Sequence, residues 1–174
     1  MLSLGIIWNS AQFLSQDIIT DINKNINVLE TFEFDLGDRY EDFVRAVYAS
    51  EQMEKWKIDK KINHMLHTSS RKITILFFEF DETVIEYHPF KKKNVYKELE
   101  SCKMKIREKY KDFVESYTFD IVFHATDNLE ELKNCYNSIV DFLNNTSLNN
   151  TDDAVKLIRV KNYDNKKMHG GKNE

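Results

Sequence analysis

The segment 119–131, Phe-Asp-Ile-Val-Phe-His-Ala-Thr-Asp-Asn-Leu-Glu-Glu, constrains the fold of this chain more than any other part of its sequence. An apolar run ends at His124, and Asp127 and Glu130 have the spacing of a helix N-cap and its third helical residue. The segment therefore predicts a strand that ends at His124 and a helix that begins at Asp127. In open α/β sheets, ligands and reacting groups gather at the carboxyl ends of strands. His124 is for this reason the first candidate for a functional residue.

Hydrophobic periodicity divides the rest of the chain into strands and helices. Besides the strand that ends at His124, apolar runs predict strands over 2–8, 28–36, 72–80 and 154–161. Three-four spacing predicts helices over 11–25, 39–49, 51–66, 94–115 and 127–143. The loop before residue 94 holds the only proline, Pro89, followed by the basic triplet 91–93.

The order β-α-β-(αα)-β-α-β-α-β predicts an α+β fold. We expect a ferredoxin-like α/β sandwich, with an antiparallel or mixed sheet and helices packed on one face. A doubly wound sheet is the alternative, because periodicity does not set strand order. Residues 1–162 are predicted to form a single domain, and 163–174, which lack an apolar pattern, a disordered tail.

Composition excludes several classes of protein. The chain has 174 residues, 41% of them hydrophobic, and a net charge of only −4, so it is not expected to be a general nucleic-acid binder. Four glycines leave little room for a glycine-rich phosphate loop. Cys102 and Cys135 lie at apolar helix positions and are predicted to be buried thiols. No apolar run approaches the ~20 residues of a membrane span, so we expect a cytoplasmic protein with no membrane partner.

The heptapeptide His124-Ala-Thr-Asp-Asn-Leu-Glu130 resembles the active-histidine motif of nucleoside diphosphate kinases, His-Gly-Ser-Asp-Ser-x-Glu. The segments 106–110 and 43–48 are similar to the family's Ile-Arg-Gly-Asp-Phe and to its helix with an active-site tyrosine. The resemblance implies the ferredoxin-like core, a phosphorylated nucleophile at His124, and Glu130 as the carboxylate that holds its ring.

The same resemblance implies a nucleotide or another phosphorylated small molecule as ligand, Mg²⁺ arriving with a nucleotide, no structural metal, and a homo-oligomer. Arg107 would contact the phosphates, and the helix amino terminus at Thr126 and Asp127 would add donors. Further candidates for the site are Tyr48, Arg45 and Lys91.

Departures from the family motif leave a second hypothesis open. Trp8-Asn9-Ser10 stand where the family has Lys-Pro-Asp, and Ile121 stands where the family has asparagine. A chain that kept the fold and lost these residues would be a non-catalytic binding or assembly module. An enzyme of another class, with a site that the sequence does not reveal, is a third possibility.

Overall fold

The computed structural model describes residues 1–49, 51, 53–81, 84–118 and 120–160. A four-stranded antiparallel sheet lies at its centre, in the order β2-β3-β1-β6. Its strands are β1 (Leu2–Ile7), β2 (Asn27–Asp35), β3 (Lys72–Glu79) and β6 (Phe123–Ala125). A separate antiparallel hairpin consists of β4 (Ile85–His88) and β5 (Lys93–Tyr96).

Six α-helices connect and cover these strands. They are α1 (Ser15–Asn23), α2 (Tyr40–Tyr48), α3 (Lys55–Leu66), α4 (Lys97–Tyr110), α5 (Leu129–Asn144) and α6 (Asp152–Arg159). Short 3-10 turns at Asn9–Leu14, Gly37–Arg39, Lys111–Phe113 and Ser147–Asn150 lie between them. No helix in the described part of the chain is both long and apolar enough to cross a membrane.

The strand order confirms the predicted fold class. The path β1-α1-β2-β3-α4-β6 gives the ferredoxin-like arrangement, in which β1 and β3 are central and the two crossover helices α1 and α4 contact each other. Because β1 pairs antiparallel with both β3 and β6, the sheet is not doubly wound.

Helices cover both faces of the sheet, whereas the sequence predicted helices on one face. Neighbouring residues of β3 point to opposite sides: Phe77 contacts Tyr136 of α5, and Phe78 contacts Phe123. Both phenylalanines are buried, as a central strand requires. On the Phe78 side, a Cβ atom at Gly5 would lie only 2.7 Å from the Phe123 ring, so glycine is what lets β1 and β6 pack here.

Two predicted elements are wrong. Residues 152–159 form the helix α6 instead of a strand, because Thr151 caps its amino end and Ala154 and Leu157, three residues apart, bury one helical face. The helix predicted from residue 94 begins at Lys97, since residues 93–96 pair with β4 in the hairpin. The predicted disordered tail lies outside the described residues.

Candidate functional site

His124 is the middle residue of β6 and lies directly opposite Ile6 of β1. Only 8% of its surface is exposed. Its ring shares a face of the sheet with Ile6 and Trp8, the face that α2 and α5 cover. Burial lowers the pKa of His124 well below its usual value, and the positive charges of Lys61, Lys103 and Arg107 lower it further. The imidazole is therefore neutral at physiological pH.

Two aromatic residues enclose the imidazole. The ring centroid of Tyr48, at the end of α2, lies 5.3 Å from that of His124 in an edge-to-face arrangement. Trp8, directly after β1, stacks on Tyr48 at 6.0 Å and lies 6.4 Å from His124. Trp8 Nε1 is buried and has no hydrogen-bond acceptor among the described residues.

The carboxylate that faces His124 belongs to Glu51. Its Oε1 lies 3.4 Å from His124 Nε2, without the geometry of a hydrogen bond. Burial, together with the nearby Glu131 and Asp127 carboxylates, raises the pKa of Glu51 to about 7. Among the described residues, His124 Nε2 is thus buried next to a carboxylate without a hydrogen bond to it.

Lys61 is a buried cation that contacts Tyr48. This α3 residue is 3% exposed, and its Nζ donates a 2.6 Å hydrogen bond to the hydroxyl of Tyr48. Burial lowers the pKa of Lys61 to about 8. Burial likewise raises the pKa of Tyr48 well above its usual value, so the phenol stays protonated.

Arg107 of α4 lies beside β6, and its side chain is already bonded to other residues of the protein. Its Nε donates to the carbonyl oxygen of Phe123 at 3.0 Å, and one terminal nitrogen lies 3.1 Å from the carboxylate of Asp120. The predicted phosphate ligand thus lies beside β6, where its charge acts on His124, and it already has an anionic partner.

A lysine–carboxylate cluster joins the hairpin to α4 and α5. Asp127 at its centre forms ion pairs with Lys103, with Lys93 at 2.8 Å and with Lys91 at 3.2 Å. Glu100 and Glu131 complete the cluster. Burial alone would raise the pKa of Asp127, but the lysines outweigh it and hold that pKa well below its usual value. Lys91, a predicted site candidate, is therefore neutralised inside this cluster.

The helix start after His124 differs from the prediction. The N-cap of α5 is Asn128, whose side chain accepts the Glu131 N–H at 2.9 Å. Glu131 in turn accepts the Asp127 N–H at 2.8 Å. The capping pair is thus one residue later than the predicted Asp127 and Glu130, because the chain stays extended through Asn128.

Three other predicted site residues lie away from the imidazole. Glu130 is exposed, and no hydrogen bond or ion pair joins it to His124 in the described ranges. The hydroxyl of Thr126 is bound to β1, through Ser3 Oγ at 2.9 Å and the Leu4 N–H at 3.2 Å. Arg45 forms surface ion pairs with Glu41 and Asp59.

Sequence reasoning missed Glu51 and Lys61, although one of them left a signal. In α3, Ile58, Lys61, Ile62 and Met65 have the spacing of a core-facing stripe. A lysine at a core position of such a stripe must be buried with a partner, and that pattern could have identified it. Glu51 left no comparable signal, because it lies in a loop between α2 and α3.

The chain matches no family model and no curated protein sequence. Solved structures do resemble it. The nucleoside diphosphate kinase of Aquifex aeolicus is 10% identical, with a TM-score of 0.48, over 79% of this chain and 93% of that chain. The enzyme from Borrelia burgdorferi, solved with bound vanadate and ADP, is 10% identical, with a TM-score of 0.47, over 77% and 83%. At this identity the similarity concerns the fold alone.

Proposed function

We propose that this protein binds a phosphate-bearing small molecule, with a nucleotide as the expected class, and accepts phosphate on His124. The observation that carries the proposal is the state of His124 itself. Its imidazole is neutral, Glu51 faces one ring nitrogen, and the nearby buried cation Lys61, which forms no ion pair within the described ranges, favours an anion.

The proposed reaction is a transfer of phosphate in two balanced halves. A lone pair of His124 Nδ1 attacks the terminal phosphorus of a nucleoside triphosphate, a nitrogen–phosphorus bond forms, and the bond to the leaving diphosphate oxygen breaks. A second diphosphate takes the phosphate in the reverse step. The Glu51 carboxylate stabilises the positive charge that the imidazole gains.

The test is intact-mass measurement after incubation with ATP and magnesium, before and after mild acid. We expect an added phosphate that is lost in acid and absent from His124→Ala. His67→Ala is the matched control, because His67 is an exposed histidine directly after α3 and its replacement should leave the added mass unchanged. Failure to detect an acid-labile phosphate on the wild-type protein would contradict phosphate transfer.

A non-catalytic binding or assembly module is the second candidate, and two observations favour it. The cations expected to hold phosphate are already paired, Arg107 with Asp120 and Lys91 with Glu100 and Asp127. The hairpin also exposes large apolar side chains, with Phe90 at 92% and Tyr87 at 63%. This candidate predicts no phosphate on His124 and a stable oligomer, which light scattering after size exclusion measures.

A further inference from the structure

Lys61 is a buried cation that forms no ion pair with a carboxylate in the described part of the chain. Its side chain lies on the face of α3 that also carries Ile62 and Met65, both of them buried. Among the residues that the structure describes, Nζ makes one hydrogen bond, to the hydroxyl of Tyr48, and no carboxylate oxygen lies within the 4.0 Å of an ion pair. An ammonium group has three donors, so two are left.

Lys103 is a second buried lysine, and carboxylates balance its charge. Lys103 is equally buried, and it forms ion pairs with Asp127 and, at 2.7 Å, with Glu100. In the described part of the chain Lys61 forms no such ion pair. Its Nζ lies 4.5 Å from the centroid of the Tyr48 ring, and the Asp120 and Glu51 carboxylates favour its charged form while Arg107 opposes it. Burial of a lysine without an ion-paired carboxylate is unfavourable, which points to an anion that Lys61 meets when a ligand binds.

A second observation comes from Trp8, which also contacts Tyr48. Trp8 stacks on the Tyr48 ring, and its buried Nε1–H has no acceptor within the described ranges. Buried donors are nearly always hydrogen-bonded in folded proteins. Two buried donor groups with unused capacity thus flank Tyr48, whose ring contacts His124.

We propose that Lys61 is the anion-binding residue of the His124 site, and that it receives the terminal phosphate of the ligand beside Tyr48 and His124. The lysine on α3 would supply the cation that the segment after β1 lacks, where Trp8-Asn9-Ser10 stand. This inference rests on the proposed function, since it names the residue that recognises the phosphate.

The test compares Lys61→Met and Lys61→Gln with the wild-type protein, titrated calorimetrically with inorganic phosphate, pyrophosphate and ATP. Methionine keeps an unbranched side chain without the charge, and glutamine keeps a donor for Tyr48. We expect either folded variant to bind the probes about 10- to 100-fold more weakly, the range of a hydrogen bond to a charged group. Thermal stability should hold or rise in Lys61→Met, because a buried charge that has no ion-paired carboxylate among the described residues is removed.

Lys60→Met is the matched control, because Lys60 is the neighbouring lysine on α3 and its side chain is exposed. Its affinity should equal that of the wild type. If the wild type binds a probe and both folded Lys61 variants bind it equally well, the assignment of Lys61 is wrong and the proposed function stands. If His124→Ala binds normally but never carries phosphate while Lys61→Met loses binding, Lys61 is supported. A wild-type protein that binds none of the probes overturns both proposals.

Discussion

At the scale of single residues, the site is defined by ionisable groups in buried or partly buried positions, where a charged form is unfavourable. His124 is buried and Glu51 is partly buried, and the loss of solvent drives both towards their neutral forms. The raised pKa of Glu51 means that the folded state holds its proton more tightly than the unfolded chain does. Folding stability therefore falls as pH rises from about 4.5, the ordinary value for Glu, through about 7.

Glu51→Gln is expected to remove this pH dependence. The variant should be more stable than the wild type above pH 7, where Glu51 must ionise, and equal to it below pH 4.5, where it is protonated in both states. A gain of roughly 1–3 kcal/mol corresponds to a shift of this size. Urea unfolding of both proteins at the two pH values measures the difference. Glu130→Gln, at an exposed position, is the control; an equal gain for Glu51→Gln at both pH values would contradict the argument.

At the scale of elements, the start of α5 positions the residues that follow His124. The side chain of Asn128 accepts the Glu131 N–H, and the Glu131 carboxylate accepts the Asp127 N–H. This reciprocal pair fixes the turn between β6 and α5. The carboxylate of Asp127, which precedes the cap, instead forms ion pairs with Lys93 of β5 and Lys103 of α4.

Asn128→Ala should destabilise the protein by about 1 kcal/mol, the usual cost of losing an N-cap side chain. Glu130→Ala, one of the two residues that the sequence assigned to the cap, should change stability by less than half as much, because its side chain is exposed. Denaturant unfolding of the two variants measures both effects. Equal losses would show that the cap assignment is wrong.

At the scale of the whole molecule, the sheet and the hairpin differ in how they are held. β3 pairs with β1 and β2, β1 pairs with β3 and β6, and both strands are buried, whereas within the described residues β4 pairs only with β5 and is largely exposed. Backbone hydrogen bonds in buried central strands open only with the whole protein, while exposed hairpins open locally.

Native-state hydrogen exchange should reproduce this order. Amides of Ile6 and Ile75, at the centre of the sheet, should exchange only through global unfolding, so their exchange free energy should fall in parallel with stability as denaturant is added. Amides of Glu86 and Tyr87 in the hairpin should exchange at lower free energy, with little denaturant dependence. Exchange of both groups at one common free energy would mean that the hairpin and the sheet unfold as one unit.

Local patterns predicted much of the fold. Ile18 and Ile22 of α1, and Phe32 and Phe34 of β2, are buried as their spacing required. The helix predicted over 94–115 ends at Tyr110, and Phe113 beyond that end is 62% exposed, while the strand predicted over 154–161 overlaps the helix α6. A short apolar run fits both the helical and the strand periodicity. At 152–159 the Thr151 cap and the packing of Ala154 and Leu157 decide for a helix.

The sequence by itself determined the amphipathic elements, the fold class and the candidacy of His124, because each depends on residues that are close along the chain. The tertiary structure alone decided the strand order and the surroundings of the imidazole. Glu51 and Lys61 approach His124 because α2 packs on the face of the sheet that holds Ile6 and Trp8, and α3 packs against α2. A carboxylate gains a raised pKa, and a lysine a lowered one, from burial that packing creates, and no local pattern specifies that packing.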